Sequence, residues 1–440
     1  MSFKKSLDFY NKHIKQASDD KLFLCRMDLL FRGYIVPNIE TEKIPNKPND
    51  DVILKLYCVY LILAIYSLFN LLILKFKKIE KAHYLIDIKN SNDFYDFRSK
   101  EVLDIYPPQY SANFMHLSNT RYSLTTLHRK SNAIYFETIY YVLKPFLRVR
   151  RFEYIESDNK FCNEALEVYQ QHYNNSYHIH KVAVYILKFL NIKTVALLDD
   201  SRYSNEINLA SRELNIKTIG YMHGRFNEYH LGIFEFPFDK YLVWSSYFKN
   251  KLLNLSDKYK EDNIEVVGHS RINKKLPLVK RGKCILWLGE SNIEYKEIIP
   301  FIKSIVGSGY NIVFRGKPGN ENNLSLFLAE NKLKIDKSND YFSSLQNNNI
   351  GLVVGTHSTA LMESWLVAIP SLALKSSYDY GSHLWEDGLI ELCVDENDLI
   401  ESINKHLNMQ DNEILNIKTN IWNSKMYFDK EKVKNILTEI

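Results

Sequence analysis

Short apolar runs alternate with stretches of helical periodicity along this chain of 440 residues, and the alternation runs its course twice. In the first course, strands are expected at His83–Ile88, Lys193–Leu198, Thr218–Met222, Lys240–Val243 and Ile264–Val267. Helices are expected at Ile134–Leu143, His178–Leu190, Asn205–Leu214 and Ser246–Leu253, the first stopping before Pro145. The second course places strands at Cys284–Leu288, Asn311–Phe314, Leu333–Ile335, Ile350–Val354 and Ser371–Leu374. Its helices are Tyr295–Val306, Leu324–Glu330, Ala360–Val367 and Glu396–His406. Strands alternating with helices in this way indicate parallel sheets flanked by helices.

The basic stretch Pro277–Gly282, PLVKRG, separates the two courses. The expected architecture is therefore α/β, with a helical region over residues 1–81 and two Rossmann-like domains over 82–272 and 282–440, each doubly wound. Such sheets bind ligands beyond the C-terminal ends of their strands, and two of them facing one another enclose a cleft.

Hydrophobic residues make up 45% and charged residues 25% of the chain, a globular composition. The net charge of +5 is too mild for a nucleic-acid partner but suits anionic substrates or an anionic membrane surface. Cys25, Cys58, Cys162, Cys284 and Cys393 are scattered, so neither a disulfide framework nor a zinc site is expected. The start, MSFKKSLDFYNKH, has no signal-peptide core, and residues 318–349 are Asn-rich and read as loops.

One segment departs from the soluble pattern. Leu56–Leu74 is 19 residues without a charge, preceded by Lys55 and followed by Lys75, Lys77, Lys78 and Lys81. Its length matches a membrane span, while the lysines suit the cytoplasmic side or anionic headgroups. Three placements stay open: spanning, lying in the interface, or packed on the following domain.

The polar residues with chemical promise fall at expected strand ends. Asp199 and Asp200 follow VALL, and either carboxylate can act as a general base once burial raises its pKa. His223-Gly224 follows TIGYM, where the glycine admits a ligand to the backbone and the imidazole exchanges a proton near neutral pH. Arg225, Glu228 and His230 lie close by as acceptor-binding candidates. In the second half, Gly289-Glu290-Ser291 ends one strand, a place for a nucleotide phosphate or base. Arg315-Gly316-Lys317-Pro318 ends another, with a guanidinium fork and an ammonium for an anion. Val353–Pro370 reads as strand, tight turn and helix. His357, Ser358 and Thr359 stand where helix N–H groups point at a phosphate, and Glu363 lies one turn deeper for a ribose or sugar hydroxyl. Farther on, HLWEDGLIEL, with His383, Glu386 and Asp387, is a candidate to close over a donor. No GxGxxG or GxxxxGK[ST] is present, and the acidic pair is contiguous rather than DxD. Dinucleotide redox and P-loop hydrolysis therefore lack their fingerprints, and a metal-independent reaction is expected.

KTIGYMHG, FDKYLVWSSYFKNKLL, NIEVVGHSRI, the strand ending in RGKP, and VVGTHSTALMESWLVAIPSL together resemble bacterial surface-polysaccharide transferases of the GT-B fold, over about residues 190–375. Similar patterns mark capsule and lipopolysaccharide glycosyltransferases, bacterial sialyltransferases and teichoic-acid glycerophosphotransferases. The sialyltransferases carry an acidic pair containing the base, a His-Pro motif, and a Ser-Ser/Thr motif for the CMP phosphate. Asp199-Asp200 and Ser358-Thr359 match the first and third, whereas the second reads Lys317-Pro318. In the glycerophosphotransferases a strand-end His-Gly is catalytic, and His223-Gly224 matches it.

The resemblance implies an inverting glycosyltransferase at the cytoplasmic face of the inner membrane, with an acceptor domain followed by a nucleotide-donor domain. It would move a sugar from a nucleotide-activated donor, a CMP-linked nonulosonic acid among the options, to a glycan or lipid-linked glycan in capsule or lipopolysaccharide biosynthesis, with no further cofactor. Asp199, Asp200 or His223 would take the acceptor proton. A CDP-polyol phosphotransferase of teichoic-acid type is an alternative, as is a non-catalytic glycan-binding or scaffold protein of a polysaccharide assembly complex.

Overall fold

A computed structural model describes residues 2–44, 54–86, 102–117, 130–199, 202–269, 281–290, 293–316, 333–338, 340–422 and 428–438, together with Leu124 and Leu127. The chain forms two compact units. One comprises Ser6–Trp244, Phe248–Asn273 and Tyr427–Ile440, the other Met1–Lys5, Ser245–Tyr247 and Lys274–Met426.

The first unit is built on seven strands: β1 (Lys81–Ile86), β2 (Ala112–His116), β3 (Ala133–Ile134), β4 (Thr194–Leu198), β5 (Lys217–Tyr221), β6 (Lys240–Val243) and β7 (Ile264–Val266). All pairs are parallel, in the order β3-β2-β1-β4-β5-β6-β7. The chain winds outward from β1 to β3, then returns to lay β4 on the other side of β1. The strand order therefore reverses between β1 and β4, which opens a crevice at their C-terminal ends. β4 is buried along its whole length, as its run TVALL requires.

The helix Lys160–Leu190 packs beside Ser204–Glu213 and Phe136–Leu143. Asn159 caps its start by accepting from Cys162 N at 3.0 Å, and Asn191 ends it in the left-handed region at φ 59°. It begins well before the expected His178, because its early turns bury Phe161, Ala165, Leu166 and Tyr169 between polar residues that mask the periodicity.

The described residues between Ser6 and Lys81 do not stand apart as a helical region. They pack into the first unit, with Phe23 edge-on to Tyr169 at 5.4 Å and the Leu54–Lys77 helix lying against β3 and Phe136–Leu143. The expected second domain also loses its end. The helix Lys430–Thr438 belongs to the first unit, where Phe428, Val433 and Leu437 join Ile219, Leu242 and Val267 in one core. Asp429 N donates to Val267 O at 2.7 Å, and Lys432 pairs with Glu265 at 2.7 Å.

The second unit carries β8 (Cys284–Leu288), β9 (Ile312–Arg315), β10 (Lys334–Ile335), β11 (Ile350–Gly355), β12 (Ser371–Leu374) and β13 (Glu391–Cys393). These are parallel in the order β10-β9-β8-β11-β12-β13, so the reversal falls between β8 and β11. The helix Tyr295–Gly307 presents Ile298, Phe301, Ile302 and Ile305 to Ile285, Trp287, Ile312 and Phe314. The expected helix Leu324–Glu330 lies outside the described residues. The stretch expected as the helix Ala360–Val367 is α-helical over Ala360–Glu363 and 3-10 over Ser364–Val367, and Ala368 ends it at φ 62°.

Candidate active site

In the first unit, adjacent strands β4 and β5 deliver Asp199 and His223 to the same edge. Asp199 follows β4 directly and is 1% exposed. Its Oδ1 accepts from His223 N at 3.3 Å and is also in a very short contact with His223 Nδ1. Its Oδ2 takes the hydroxyl of Tyr241 from β6, so the carboxylate is held on both sides. The His223 side chain is 19% exposed against 2% for Asp199, and its Nε2 makes no hydrogen bond among the described residues. In neutral imidazole one nitrogen carries hydrogen and the other a lone pair. A carboxylate at Nδ1 keeps the hydrogen there and turns the lone pair of Nε2 outward, while stabilising the imidazolium that forms on proton uptake.

Around this pair, a side chain built at Gly224 would meet nothing within 4 Å. Arg225 and His230 are buried and Glu228 is half-buried. His230 Nδ1 lies 2.9 Å from Asn227 Oδ1, within the turn that leads into Leu231–Glu235. Asp200 lies outside the described residues.

The same unit holds a second polar arrangement that sequence reading passes over. His116, the last residue of β2, places Nδ1 2.9 Å from Oε1 of the fully buried Glu137. Arg202 lies 3.8 Å from Glu137 Oε2, donates to the Tyr141 hydroxyl at 3.0 Å and stacks over the Tyr203 ring at 5.2 Å. The available signals are a histidine closing the run ANFMH and a glutamate inside the apolar FETIYY.

In the second unit, the reversal between β8 and β11 is occupied by Glu290. Its carboxylate accepts from Thr356 N at 2.6 Å, from His357 N at 3.0 Å, and from Ser358 N and the Thr356 hydroxyl. The turn thus aims three successive N–H groups at one anion, and here that anion is a side chain. His357 Nδ1 sits 2.9 Å from Thr356 Oγ1 and its ring 4.7 Å from that of Tyr378. The Ser358 hydroxyl accepts from Ala360 N at 3.2 Å, while Thr359 makes no side-chain cap bond. Gly289 N continues the sheet by donating to Arg315 O at 2.8 Å.

Glu363 is 3% exposed. Burial, followed by the Glu363 charge, pushes the Tyr341 phenol well above its usual range, and that hydroxyl donates to Ala360 O at 2.7 Å. Arg315 pairs with Asp336 and donates to Ser338 O at 3.1 Å. His383 is buried, and Asp387 accepts from the Tyr247 hydroxyl. Ser291, Lys317 and Pro318 lie outside the described residues. No group of three or more metal-ligating side chains occurs among the described residues.

No protein-family model matches the sequence, and no curated protein is significantly similar to it. Solved structures do resemble the chain. UGT89C1 of Arabidopsis thaliana, complexed with quercetin, aligns with a TM-score of 0.52 at 10% identity, covering 82% of this chain and 98% of that one. A UDP-GlcNAc 2-epimerase from Methanocaldococcus jannaschii, in complex with UDP-GlcNAc and UDP, aligns at 0.50 with 14% identity, over 82% and 100%. The fold is GT-B-like. At these identities the likeness concerns the architecture alone, and a fold shared with an epimerase leaves the reaction to be argued from side chains. Within this GT-B-like chain, Asp199 and Glu290 each follow a strand at which the order of their own sheet reverses.

Proposed function

We propose that the chain is a glycosyltransferase that moves a sugar from a nucleotide-activated donor to a hydroxyl of a glycan or lipid-linked glycan, with inversion, in assembly of a bacterial surface polysaccharide. The observation that carries this reading is the Asp199–His223 pair, held by Tyr241 at a crevice of the GT-B-like fold. Sugar transfer to a hydroxyl needs a base for one proton, and a half-buried imidazole backed by a buried carboxylate is such a base. His223 Nε2 takes the proton as the acceptor oxygen attacks the anomeric carbon. The bond from that carbon to the donor phosphate breaks, and its electron pair leaves with the nucleotide. A single displacement of this kind inverts the anomeric centre. The donor is assigned to the second unit, where the Thr356–Ser358 N–H groups, already directed at a carboxylate, suit the developing charge on a leaving phosphate. The sequence resemblance to capsule and lipopolysaccharide transferases supports the polysaccharide assignment.

The test is to incubate the full chain with CMP-, CDP-, UDP-, GDP- and dTDP-activated donors and bacterial glycolipid extract, following nucleotide release and sugar incorporation. Acceptor-dependent release from one donor class is expected, with His223→Asn slower by about 10²–10⁴-fold. An epimerised donor without incorporation, or full activity in His223→Asn, overturns the proposal.

A further inference from the structure

The Leu54–Lys77 helix is apolar on two opposite faces, and only one of them is used by the fold. Leu63, Ala64, Ser67, Leu71 and Leu74 are buried against the first unit. The polar residues lie on or beside that face and are tied down. Tyr57 donates to Val142 O at 3.2 Å, Tyr66 to Leu127 O at 3.2 Å, and Asn70 to Ala133 O at 2.8 Å, while the Ser67 hydroxyl accepts from Tyr135 N at 2.8 Å. The other face carries Leu61, Ile62, Ile65, Leu68, Phe69, Leu72 and Phe76, all exposed, with Phe69 at 62% and Phe76 at 86%. Their spacing of three and four residues makes one continuous stripe, and from Leu61 to Phe76 it runs roughly 22 Å at the rise of an α-helix. Scattered apolar side chains on a surface need no explanation, but an unbroken row of seven does.

The charges around the stripe identify what covers it. Exposed Lys75, Lys77 and Lys78 stand at one end. Near Lys75, Tyr185 is exposed and stacks on Phe189, the residue whose carbonyl accepts from Lys75 Nζ. The other end of the helix is fixed by the Tyr57–Val142 bond. The chain beyond Val142 exposes Leu143, Phe146 and Val149 in alternation with basic Lys144, Arg148, Arg150 and Arg151. Neither Leu54–Ile79 nor Thr138–Phe152 contains an acidic residue. A protein interface sets a rim of mixed polar residues around its apolar core and carries roughly one hydrogen bond per 100–200 Å². The seven side chains of this stripe offer no hydrogen-bonding group. Aliphatic and phenylalanine side chains rimmed by cations and a tyrosine match hydrocarbon beneath anionic headgroups.

We infer that the chain docks on an anionic bilayer through the outer face of this helix, which lies in the plane of the interface and does not cross it. Spanning would tear the inner face from the fold, breaking the Tyr57, Tyr66, Ser67 and Asn70 bonds and burying those groups in lipid without partners. The docking reading stands independently of the proposed reaction.

The experiment is co-sedimentation of the full chain, without donor or acceptor, with vesicles of phosphatidylcholine with and without phosphatidylglycerol. Binding should require phosphatidylglycerol, weaken with salt, and be fully released by alkaline carbonate. The variant I62S/I65S/F69S should bind at least about tenfold more weakly. Because those side chains leave the fold's core untouched, its thermal transition should match the wild type. K78E/R148E/R151E should lose the preference for phosphatidylglycerol. Carbonate-resistant association overturns the in-plane placement. Absence of binding, unchanged binding by the apolar variant, or a soluble dimer that the same variant dissociates overturns the bilayer as occupant.

Discussion

His223 and Asp199 meet through a side chain and a main chain at once: Asp199 Oδ1 lies against His223 Nδ1 and also accepts from His223 N. Two bonds fix the imidazole's position and its tautomer, and the Tyr241 hydroxyl fixes the carboxylate in turn. With His223 as the proposed base, each member of this arrangement should have a separate effect on turnover.

Asp199→Asn should lower turnover by about 10²–10⁴-fold, because a neutral amide no longer balances the imidazolium. Tyr241→Phe removes one bond to a charged group, worth on the order of 1.5–3 kcal/mol, yet leaves the tautomer intact. Its loss should be smaller, about tenfold. With the donor assigned to the second unit, as proposed above, nucleotide affinity should be unchanged in both. Steady-state turnover beside nucleotide titration measures the pair, and equal losses in the two variants would contradict this arrangement.

Glu290 fills the turn between Gly355 and Thr359, so removing it should leave three N–H groups without their anion. Glu290→Ala should be destabilised, by about 1–3 kcal/mol for the unsatisfied donors. Inorganic phosphate or a nucleoside diphosphate at millimolar concentration should restore part of that stability by binding the folded state. Wild type should respond less to inorganic phosphate, because its own carboxylate competes. Thermal shifts of both proteins across a phosphate series decide this, and a variant indifferent to phosphate would remove the turn as an anion site.

Much of the fold is legible in the sequence. β6, β8 and β12 fall at their expected residues because each is an apolar run bounded by polar turns. β2 escapes notice because Asn113 interrupts it, and only tertiary contacts explain a buried asparagine there. Its amide is satisfied by Ser111, Pro108 O and Ser131 O, each at 2.8 Å. The site is legible residue by residue but not as an arrangement. Asp199 and His223 both read as strand-end groups, yet their contact depends on β4 lying beside β5, a long-range pairing. Glu290 reads as a ligand-binding residue, because the groups it binds lie at 356–358, beyond any local pattern. Leu56–Leu74 is ambiguous by sequence for a definite reason: one apolar face serves the core and the other is exposed, and periodicity sees both alike.

The second sheet depends on two glycines. A Cβ at Gly351 would stand 2.2 Å from Gly282 O, and one at Gly282 would stand 1.8 Å from Asn349 O. Both obstacles are backbone, just ahead of β8 and β11, whose register shifts between Ile350 and Leu352. Gly351→Ala should therefore cost more than about 2 kcal/mol, since the strands must separate to admit a methyl. Gly307→Ala, where nothing lies within 4 Å, is the control and should be neutral or slightly stabilising. Urea unfolding of the two variants tests the difference, and equal midpoints would disprove the close approach.

His83 gives the fold a pH dependence of known sign. It sits on β1 at 2% exposure, its ring 5.4 Å from that of Tyr106 and its Nδ1 buried without a hydrogen bond. Burial, with repulsion from Lys81 adding to it, pushes its pKa down to about 4. An unfolded histidine titrates near 6.5, so between these values the unfolded chain binds the proton more strongly than the folded one. Stability from this residue is complete above about pH 6.5 and declines as pH falls toward 4. Between pH 7.5 and pH 5 the loss is about 2 kcal/mol, at 1.36 kcal/mol per unit. His83→Phe keeps an aromatic ring beside Tyr106 and cannot titrate, so its stability should fall less over the same interval. Carboxylates contribute equally to both proteins, which makes the difference between their slopes the informative quantity. Urea midpoints at the two pH values measure it, and parallel slopes would show that His83 takes up its proton in the folded state as easily as in the unfolded chain.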